Sequence, residues 1–197
     1  MKKEDAQKFI HSKEVFETIK LISLEAAHLH DDECNQKYDI YNYSYHLNMV
    51  AELAKENLHE VCQYEHHILP IVFAAYFHDA IEDARQTYND IMKRAEKYMT
   101  RYQAMIATEI VYALTDEKGR NRKERASEKH FEGIRNTKYA PFVKWCDRYG
   151  NVKYSIGKGS RMAVIYQKEM PEFINMLGGD KYLSQGLIDK IFDLACV

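Results

Sequence analysis

Apolar and polar residues follow one another along most of the chain with the spacing of amphipathic helices. No stretch alternates persistently enough to predict a sheet, and with only 3 prolines and 8 glycines the chain has few breaks. The pattern therefore predicts an all-α fold of long helices with short connections. Seven predicted helices span residues 14–30, 43–59, 68–84, 87–97, 100–114, 161–177 and 181–195. Two more lie between residues 114 and 161: a polar helix that ends near 136 and a helix that begins near 141.

Several residues mark where these helices begin. Asn42 is expected to cap the helix 43–59, after a polar loop over residues 31–41. Thr87 and Thr100 are start signals for the helices that follow them. Pro141 suits the first turn of a helix, where its missing N–H has no partner to lose.

The segment 68–84 is predicted to be a buried helix that ends in a cluster of ionisable groups. Residues 71–77 are apolar on nearly every helical face, and behind them His78 and Glu82, and likewise Asp79 and Asp83, lie four residues apart. Three carboxylates and an imidazole at the end of a buried helix are costly unless a cation holds them. A divalent metal is the simplest such cation.

Length and charge narrow the class of protein. The chain of 197 residues is long enough for one sizeable core and short for two, so we expect a single domain over residues 1–197, a bundle of about eight to ten helices. The net charge of −2 and a pI near 6.5 give no reason to expect a nucleic-acid polymer as partner. A small anionic ligand remains possible, because it needs only a local basic patch.

The cysteines and the N-terminus indicate a reduced, cytoplasmic setting without membrane contact. The four cysteines form no CxxC pair, which argues against a zinc ribbon and against a disulfide framework. The N-terminus lacks the apolar region of a signal peptide, and nothing approaches the run of about 20 apolar residues that spans a membrane. The cysteines are Cys34, Cys62, Cys146 and Cys196.

Two further residues extend the ionisable cluster and carry a family resemblance. The order His46, then His78-Asp79, then Asp147 on three separate helices resembles the HD-domain metal phosphohydrolases. The pair Glu82-Asp83, and Asp147-Arg148 followed by Asn151, are similar to the hydrolase domain of the RelA/SpoT family and its small single-domain relatives. The resemblance covers about residues 10–177.

The resemblance implies a metal centre and a reaction. In that family two histidines and two aspartates hold one manganese ion, and such a mixed nitrogen and oxygen site suits Mn²⁺ or another divalent metal better than structural zinc. The implied substrate is of the guanosine 3′,5′-bispyrophosphate type, from which the 3′ pyrophosphate is removed. Glu82 and Asp83 would orient or deprotonate the attacking water and help the leaving group. The implied ligands are His46, His78, Asp79 and Asp147.

Other residues are expected to bind the phosphorylated nucleotide. Tyr43 lies one turn before the first metal histidine and is placed to line its pocket, and Asn151 shares a helix face with Asp147. Lys144 and Arg148 bracket that aspartate and would neutralise phosphate charge.

The loop before Tyr43 departs from the family pattern. The family usually carries an Arg-Lys-x-Gly-Glu-Pro-Tyr run there, whereas residues 37–43 read Lys-Tyr-Asp-Ile-Tyr-Asn-Tyr. Lys37 is a partial substitute for the basic residues, and Tyr38 or Tyr41 would be stacking surfaces. Hydrolysis of a different phosphorylated nucleotide, such as a phosphorylated dinucleotide cofactor or a deoxynucleotide, is therefore the alternative.

A third possibility is a nucleotide-sensing module that binds without turnover, although the pair Glu82-Asp83 speaks against it because a sensor needs no additional buried acids. Basic residues within 118–125 fit a solvated loop better than a phosphate grip. His28 and His30 give only a weak metal-binding signal. The sequence does not indicate an oligomeric state.

Overall fold

The computed structural model describes residues 1–116, 120, 124 and 127–195, and the protein is an all-α bundle, as the hydrophobic pattern predicts. The described part of the chain contains ten α-helices. They are α1 (Lys3–Ile10), α2 (Lys13–Ala27), α3 (Ser44–Asn57), α4 (Ile68–Phe77), α5 (Tyr88–Ala95), α6 (Arg101–Leu114), α7 (Glu128–Asn136), α8 (Ala140–Gly157), α9 (Arg161–Met176) and α10 (Gln185–Ala195).

Helix α4 forms the centre of the bundle. All ten of its residues are buried, and it packs against α2, α3, α6 and α8. A helix that is apolar on every face can be stable only inside such a ring of neighbours, since any exposed face would place apolar side chains in water. Its C-terminal end, where the ionisable residues begin, is therefore enclosed by other helices.

The central helix ends at Phe77, so the prediction that it continues to residue 84 is wrong. The imidazole Nδ1 of His78 lies 2.9 Å from the carbonyl oxygen of Ala75, the group that the Asp79 N–H would bond in a continuing helix. Residues 78–83 instead form a chain of turns, which Arg85 closes with a left-handed φ of 55°. The acidic residues consequently project from a turn and not from one helix face.

The end of the predicted helix 14–30 and the loop after it also differ from the pattern. Helix α2 ends at Ala27 and continues as a wider π-helix over His28–Glu33. The predicted loop then contains a short antiparallel hairpin, in which β1 (Lys37–Tyr38) pairs with β2 (Tyr41–Asn42). Asp39 turns the hairpin with a φ of 58°.

Asn42 does not cap helix α3, contrary to the sequence prediction. Its side-chain oxygen accepts a hydrogen bond from Lys37 Nζ at 2.5 Å across the hairpin, and no side chain caps the helix from Tyr43. Asp31 takes over the function, because its carboxylate accepts the Ser44 N–H at 3.0 Å. A cap from a distant residue leaves no local sequence signal.

The other start signals are confirmed. Thr87 and Thr100 each form a capping box with the residue three positions later, and Pro141 lies in the first turn of α8. The last helix begins at Gln185 and not near 181, because residues Gly179–Lys181 form a separate 3₁₀ turn.

Two sequence features fall outside the described residues. They are Cys196 and most of the basic run 118–125, of which the structure describes 120 and 124. A helix long and apolar enough to cross a membrane does not occur among the described residues.

The carboxylate of Glu25 ties α2 to α5 and to the residues after it. It accepts hydrogen bonds from Arg94 at 2.7 Å, from Lys97 at 2.8 Å and from the hydroxyl of Tyr98. Burial raises the pKa of this carboxyl, but the bonds from Lys97, Tyr98 and Arg94 outweigh burial and hold the pKa below its usual value. The contribution of Glu25 to stability is therefore present above the pKa of the unfolded chain and is lost as the pH falls.

Replacing Glu25 tests this link. Glu25→Gln is expected to lower the free energy of unfolding at neutral pH by about 1–3 kcal/mol, because the cations lose a charged acceptor. Urea unfolding measures the change. Glu17→Gln, at an exposed position of the same helix, is the control and should change it by less than about 0.5 kcal/mol. An equally small effect of both substitutions would show that the Glu25 contacts do not stabilise the fold.

Candidate metal centre

Four side chains from three parts of the chain meet at the end of the central helix. His46 comes from α3, His78 and Asp79 follow α4, and Asp147 comes from α8. The two histidine Nε2 atoms are 3.2 Å apart. Asp79 Oδ2 lies 3.0 Å from His78 Nε2 and 3.7 Å from His46 Nε2, and Asp147 Oδ1 lies 3.8 Å and 3.4 Å from the same two nitrogens.

These separations suit a common metal ion. An octahedral ion with bonds of about 2.1 Å holds neighbouring ligand atoms about 3 Å apart. The distances around the two imidazole nitrogens run from 3.0 to 3.8 Å, so a small contraction would bring the donors to bonding distance. The ligand atoms of His46, His78 and Asp79 all lie within 4.8 Å of one another. Two imidazoles with carboxylates form a donor set that suits Mn²⁺ and related divalent ions.

A backbone bond orients His78 so that its Nε2 faces the other three groups. The backbone carbonyl of Ala75 accepts from His78 Nδ1–H, which leaves Nε2 free to donate its lone pair in the neutral ring. Both histidine side chains are 3% exposed, whereas the side chains of Asp79 and Asp147 are 22% and 16% exposed. The centre is therefore closed on the imidazole side and open to solvent on the carboxylate side.

The electrostatics of the centre favour a positive charge between the four groups. Burial lowers the pKa of His78, but the neighbouring charges of Asp79 and Asp147 outweigh burial and raise the pKa to about 9. Burial raises the pKa of Asp79, yet His78 and His46 hold it far below its usual range. The pKa of Asp147 is also lowered, because a bond from His46 and the charge of Lys144 exceed the effect of burial. Both carboxylates thus stay ionised and attract a cation.

Tyr43 connects the metal centre to Asp83, one of the two additional acids. Its hydroxyl lies 2.6 Å from Asp79 Oδ2 and 2.9 Å from Asp83 Oδ2. Burial and these two carboxylates raise the pKa of the Tyr43 hydroxyl, which keeps the proton available for donation. Burial and the charge of Asp79 also raise the pKa of Asp83. The tyrosine that the sequence assigned to a pocket wall therefore positions both aspartates.

The second acid, Glu82, lies at the side of the centre. Glu82 and Asp83 both reach solvent, so the expectation that these two acids are buried is wrong. Its Oε2 accepts the backbone N–H of Asp116 at 3.3 Å, and the carboxylate of Asp116 lies 3.5 Å from His130 Nε2. Burial and the charge of Asp116 raise the pKa of Glu82. A carboxyl with a raised pKa is protonated in a larger fraction of molecules at neutral pH than an ordinary surface glutamate, which suits it to donate a proton.

Asn151 and Tyr38 hold the other side of the centre. Asn151 Nδ2 donates to Asp147 Oδ1 at 2.6 Å, and the hydroxyl of Tyr38 donates to Asn151 Oδ1 at 2.8 Å. The Tyr38 ring also stacks on the imidazole of His46, with centroids 4.7 Å apart and planes at 13°. The sequence analysis expected Tyr38 to stack only on a base and missed its stack on His46. The one sequence feature that could have indicated this contact is the high density of tyrosines in residues 38–45.

The predicted basic residues separate into two groups. Lys144 Nζ lies 3.7 Å from Asp147 Oδ2 and so adds positive charge at the centre. The Arg148 guanidinium instead contacts Glu169 at 3.0 Å and lies over the rings of Tyr166 and Phe173. The Lys37 ammonium is bonded within the hairpin. The structure therefore brings only Lys144 of the three to the metal centre.

Comparison with known proteins adds no relative. No family model matches the chain, and a search of curated proteins gives no match.

Because the pKa of His78 is raised, we expect the affinity of the centre for Mn²⁺ to depend on pH. The proton on His78 must leave before its Nε2 can bind a metal, so the affinity for Mn²⁺ should rise as the pH increases from 6.5 towards about 9. In the metal-free protein the same proton contributes stability that is present below pH 6.5 and is lost as the pH rises through about 9. Titration calorimetry in buffers of different ionisation enthalpy measures the affinity and the released proton. An affinity independent of pH, without proton release, would contradict this assignment.

Proposed function

We propose that the protein is a metal-dependent phosphohydrolase, with Mn²⁺ as the preferred ion, that removes the 3′ pyrophosphate from a nucleotide of the guanosine 3′,5′-bispyrophosphate type. The observation that carries the proposal is the convergence of His46, His78, Asp79 and Asp147 at one point, with Glu82 and Asp83 beside it. A structural ion site needs no additional acids, whereas hydrolysis needs groups that accept and return protons.

The four converging side chains would hold the ion. A bound divalent ion supplies positive charge that lowers the pKa of water and neutralises phosphate oxygens. Lys144 adds a further cation beside Asp147, which suits a substrate with several phosphate charges. The open carboxylate side is the face from which the phosphates would approach.

The two acids divide the proton transfers between them. Water attacks the phosphorus bonded to the 3′ oxygen of the ribose, the bond between that phosphorus and the 3′ oxygen breaks, and pyrophosphate leaves. Asp83, held by Tyr43 next to Asp79, accepts the proton from the water. Glu82, held by the Asp116 N–H, enters the step protonated and gives its proton to the 3′ oxygen. The remaining O–H of the water stays on the pyrophosphate. Loss of a proton from Asp83 to solvent and uptake of one by Glu82 then restore both acids, so one water is consumed in each cycle.

A cavity next to the metal centre offers room for the rest of the nucleotide. It encloses about 460 Å³ and includes Asn151, whose amide contacts Asp147. Its walls include the aromatic rings of Tyr38, Tyr154 and Tyr166, and its polar lining residues are Asp39, Asn151, Ser155, Lys158 and Ser160. Small-molecule sites of about 300–1,000 Å³ commonly combine such apolar walls with a few polar groups.

A second substrate class is favoured by the hairpin. Lys37, the only basic residue of the segment 37–43, is hydrogen-bonded to Asn42. Three of the nine residues that line the cavity are tyrosines. Aromatic rings stack on any base without distinguishing its edge. Hydrolysis of another phosphorylated nucleotide, such as a phosphorylated dinucleotide cofactor or a deoxynucleotide, is therefore the alternative proposal.

Incubation with Mn²⁺ and a panel of nucleotides tests the reaction. Release of pyrophosphate from guanosine 3′,5′-bispyrophosphate is expected, whereas release of orthophosphate from another nucleotide would favour the alternative. Tight binding of the nucleotides without cleavage of any of them would contradict both proposals and indicate a sensor.

Two isosteric variants separate metal binding from proton transfer. Asp79→Asn should lose both Mn²⁺ binding and turnover, because it removes a charged donor from the ion. Glu82→Gln should keep Mn²⁺ binding and lower kcat by about 10²–10⁴-fold, because it removes a proton donor and acceptor. Calorimetry with Mn²⁺ and initial rates measure the two effects. Equal loss of metal in both variants would refute this division of functions.

Removing one aromatic ring from the cavity wall tests whether the nucleotide base binds there. Tyr154→Leu should raise KM about tenfold with little change in kcat, because stacking on a base is lost while the metal centre stays intact. Tyr112→Leu, an exposed tyrosine on α6, is the control and should change neither parameter. An unchanged KM in Tyr154→Leu would place the nucleotide elsewhere.

A further inference from the structure

His30 is buried beside the metal centre although none of the reactions above uses it. It lies in the π-helix after α2 and is 0% exposed. Its ring stacks on the ring of Tyr43, with centroids 5.0 Å apart and planes at 8°. The hydroxyl of that same tyrosine contacts Asp79 and Asp83. The His30 ring therefore packs flat against the tyrosine whose hydroxyl reaches the two carboxylates.

A second connection runs from His30 to the turn that carries Asp83. Gln36 Nε2 donates to the backbone oxygen of Asp83 at 2.8 Å, which leaves its Oε1 as an acceptor for His30 Nδ1 at 2.5 Å. The Gln36 N–H also donates to the His30 backbone oxygen at 2.8 Å. His30 Nδ1 must then carry the proton, and the glutamine links the imidazole to the acidic turn.

The second ring nitrogen of His30, Nε2, indicates that a contribution to stability does not explain why a histidine occupies this position. Nε2 is buried and has no hydrogen-bond partner among the described residues. Burial lowers the pKa of His30, so the ring is neutral and Nε2 is an unpaired acceptor. Such a group costs about 1–3 kcal/mol, a penalty that an apolar ring in the same stack would avoid. An imidazole at this position is better explained by its connections to Tyr43 and Gln36.

We propose that His30 is a positioning residue of the metal centre. Its stack on Tyr43 sets the hydroxyl that orients Asp79 towards the ion, and its bond to Gln36 sets the turn that carries Asp83. This function of His30 rests on the proposed metal centre, yet it belongs to a residue that contacts none of the four ligands.

Two variants of His30 separate the two connections. His30→Asn retains an amide N–H near the position of Nδ1, so it keeps the bond to Gln36 and loses the stack. His30→Phe keeps the stack and loses the bond. If the stack orients Asp79, His30→Asn should weaken Mn²⁺ binding about fivefold, whereas His30→Phe should keep the affinity within about twofold and lower kcat through Asp83.

A double-mutant cycle with Tyr43→Phe shows whether His30 acts through the tyrosine hydroxyl. In the Tyr43→Phe background His30→Asn should change the Mn²⁺ affinity by less than about twofold, because the hydroxyl that it positions is absent. The affinity is read by calorimetry or by the Mn²⁺ electron-spin resonance signal, neither of which depends on turnover. His28→Asn, an exposed position on the same π-helix, is the control and should leave the affinity unchanged.

The possible results distinguish this inference from the proposed function. If the parent protein binds Mn²⁺ and His30→Asn weakens binding equally with and without the Tyr43 hydroxyl, or does not weaken it, the positioning function is refuted while the metal centre stands. If the parent binds no Mn²⁺, both are refuted. If coupling is found but no nucleotide is cleaved, the positioning function stands and the hydrolase proposal falls. If thermal unfolding shows that His30→Asn is not folded, His30→Gln takes its place in the cycle with the same expectations.

Discussion

The structure depends on neutralising two carboxylates that the fold forces close to two buried imidazoles. Asp79 and Asp147 contact the Nε2 atoms of His46 and His78 at the end of a helix that is apolar on every face. A helix of that kind must lie at the centre of the bundle, so the turn that follows it begins with the buried His78 and becomes exposed at Glu82 and Asp83. Charges in such a place persist only with a partner of opposite charge. We propose that this partner is a divalent ion, with which the proton on His78 competes.

The surroundings of the centre follow from the same requirement. Tyr43 and Asn151 each contact one of the aspartates and are in turn held by an aromatic ring or hydroxyl from the segment before α3. The π-helix and the hairpin are thus supports that bring His30 and Tyr38 against Tyr43 and His46. Metal ligands that are held in place by neighbouring side chains bind and position a metal ion more precisely than ligands without such contacts. We propose that a phosphorylated ligand binds on the open side, next to Lys144 and the cavity that contains three tyrosine rings.

The sequence predicted the helices well because their signals are local. The apolar period determined the class of fold, and the capping boxes of Thr87 and Thr100 depend only on residues within one turn. The failures came from contacts between distant residues. Asn42 gave no cap because Lys37 uses its oxygen, and the central helix stopped at Phe77, where the His78 side chain bonds the backbone carbonyl of Ala75. The converging ligands could be proposed from residue type and order, whereas the stack of His30 on Tyr43 has no signature in spacing.

The most direct test of the central claim is the position of manganese in a crystal grown or soaked with Mn²⁺. We predict one anomalous peak per chain among the imidazole nitrogens of His46 and His78 and the carboxylate oxygens of Asp79 and Asp147. Density for Mn²⁺ only at surface carboxylates would contradict the claim. A crystal in which the imidazole and carboxylate atoms keep their separations of 3.0 to 3.8 Å but no Mn²⁺ lies between them would also contradict the claim.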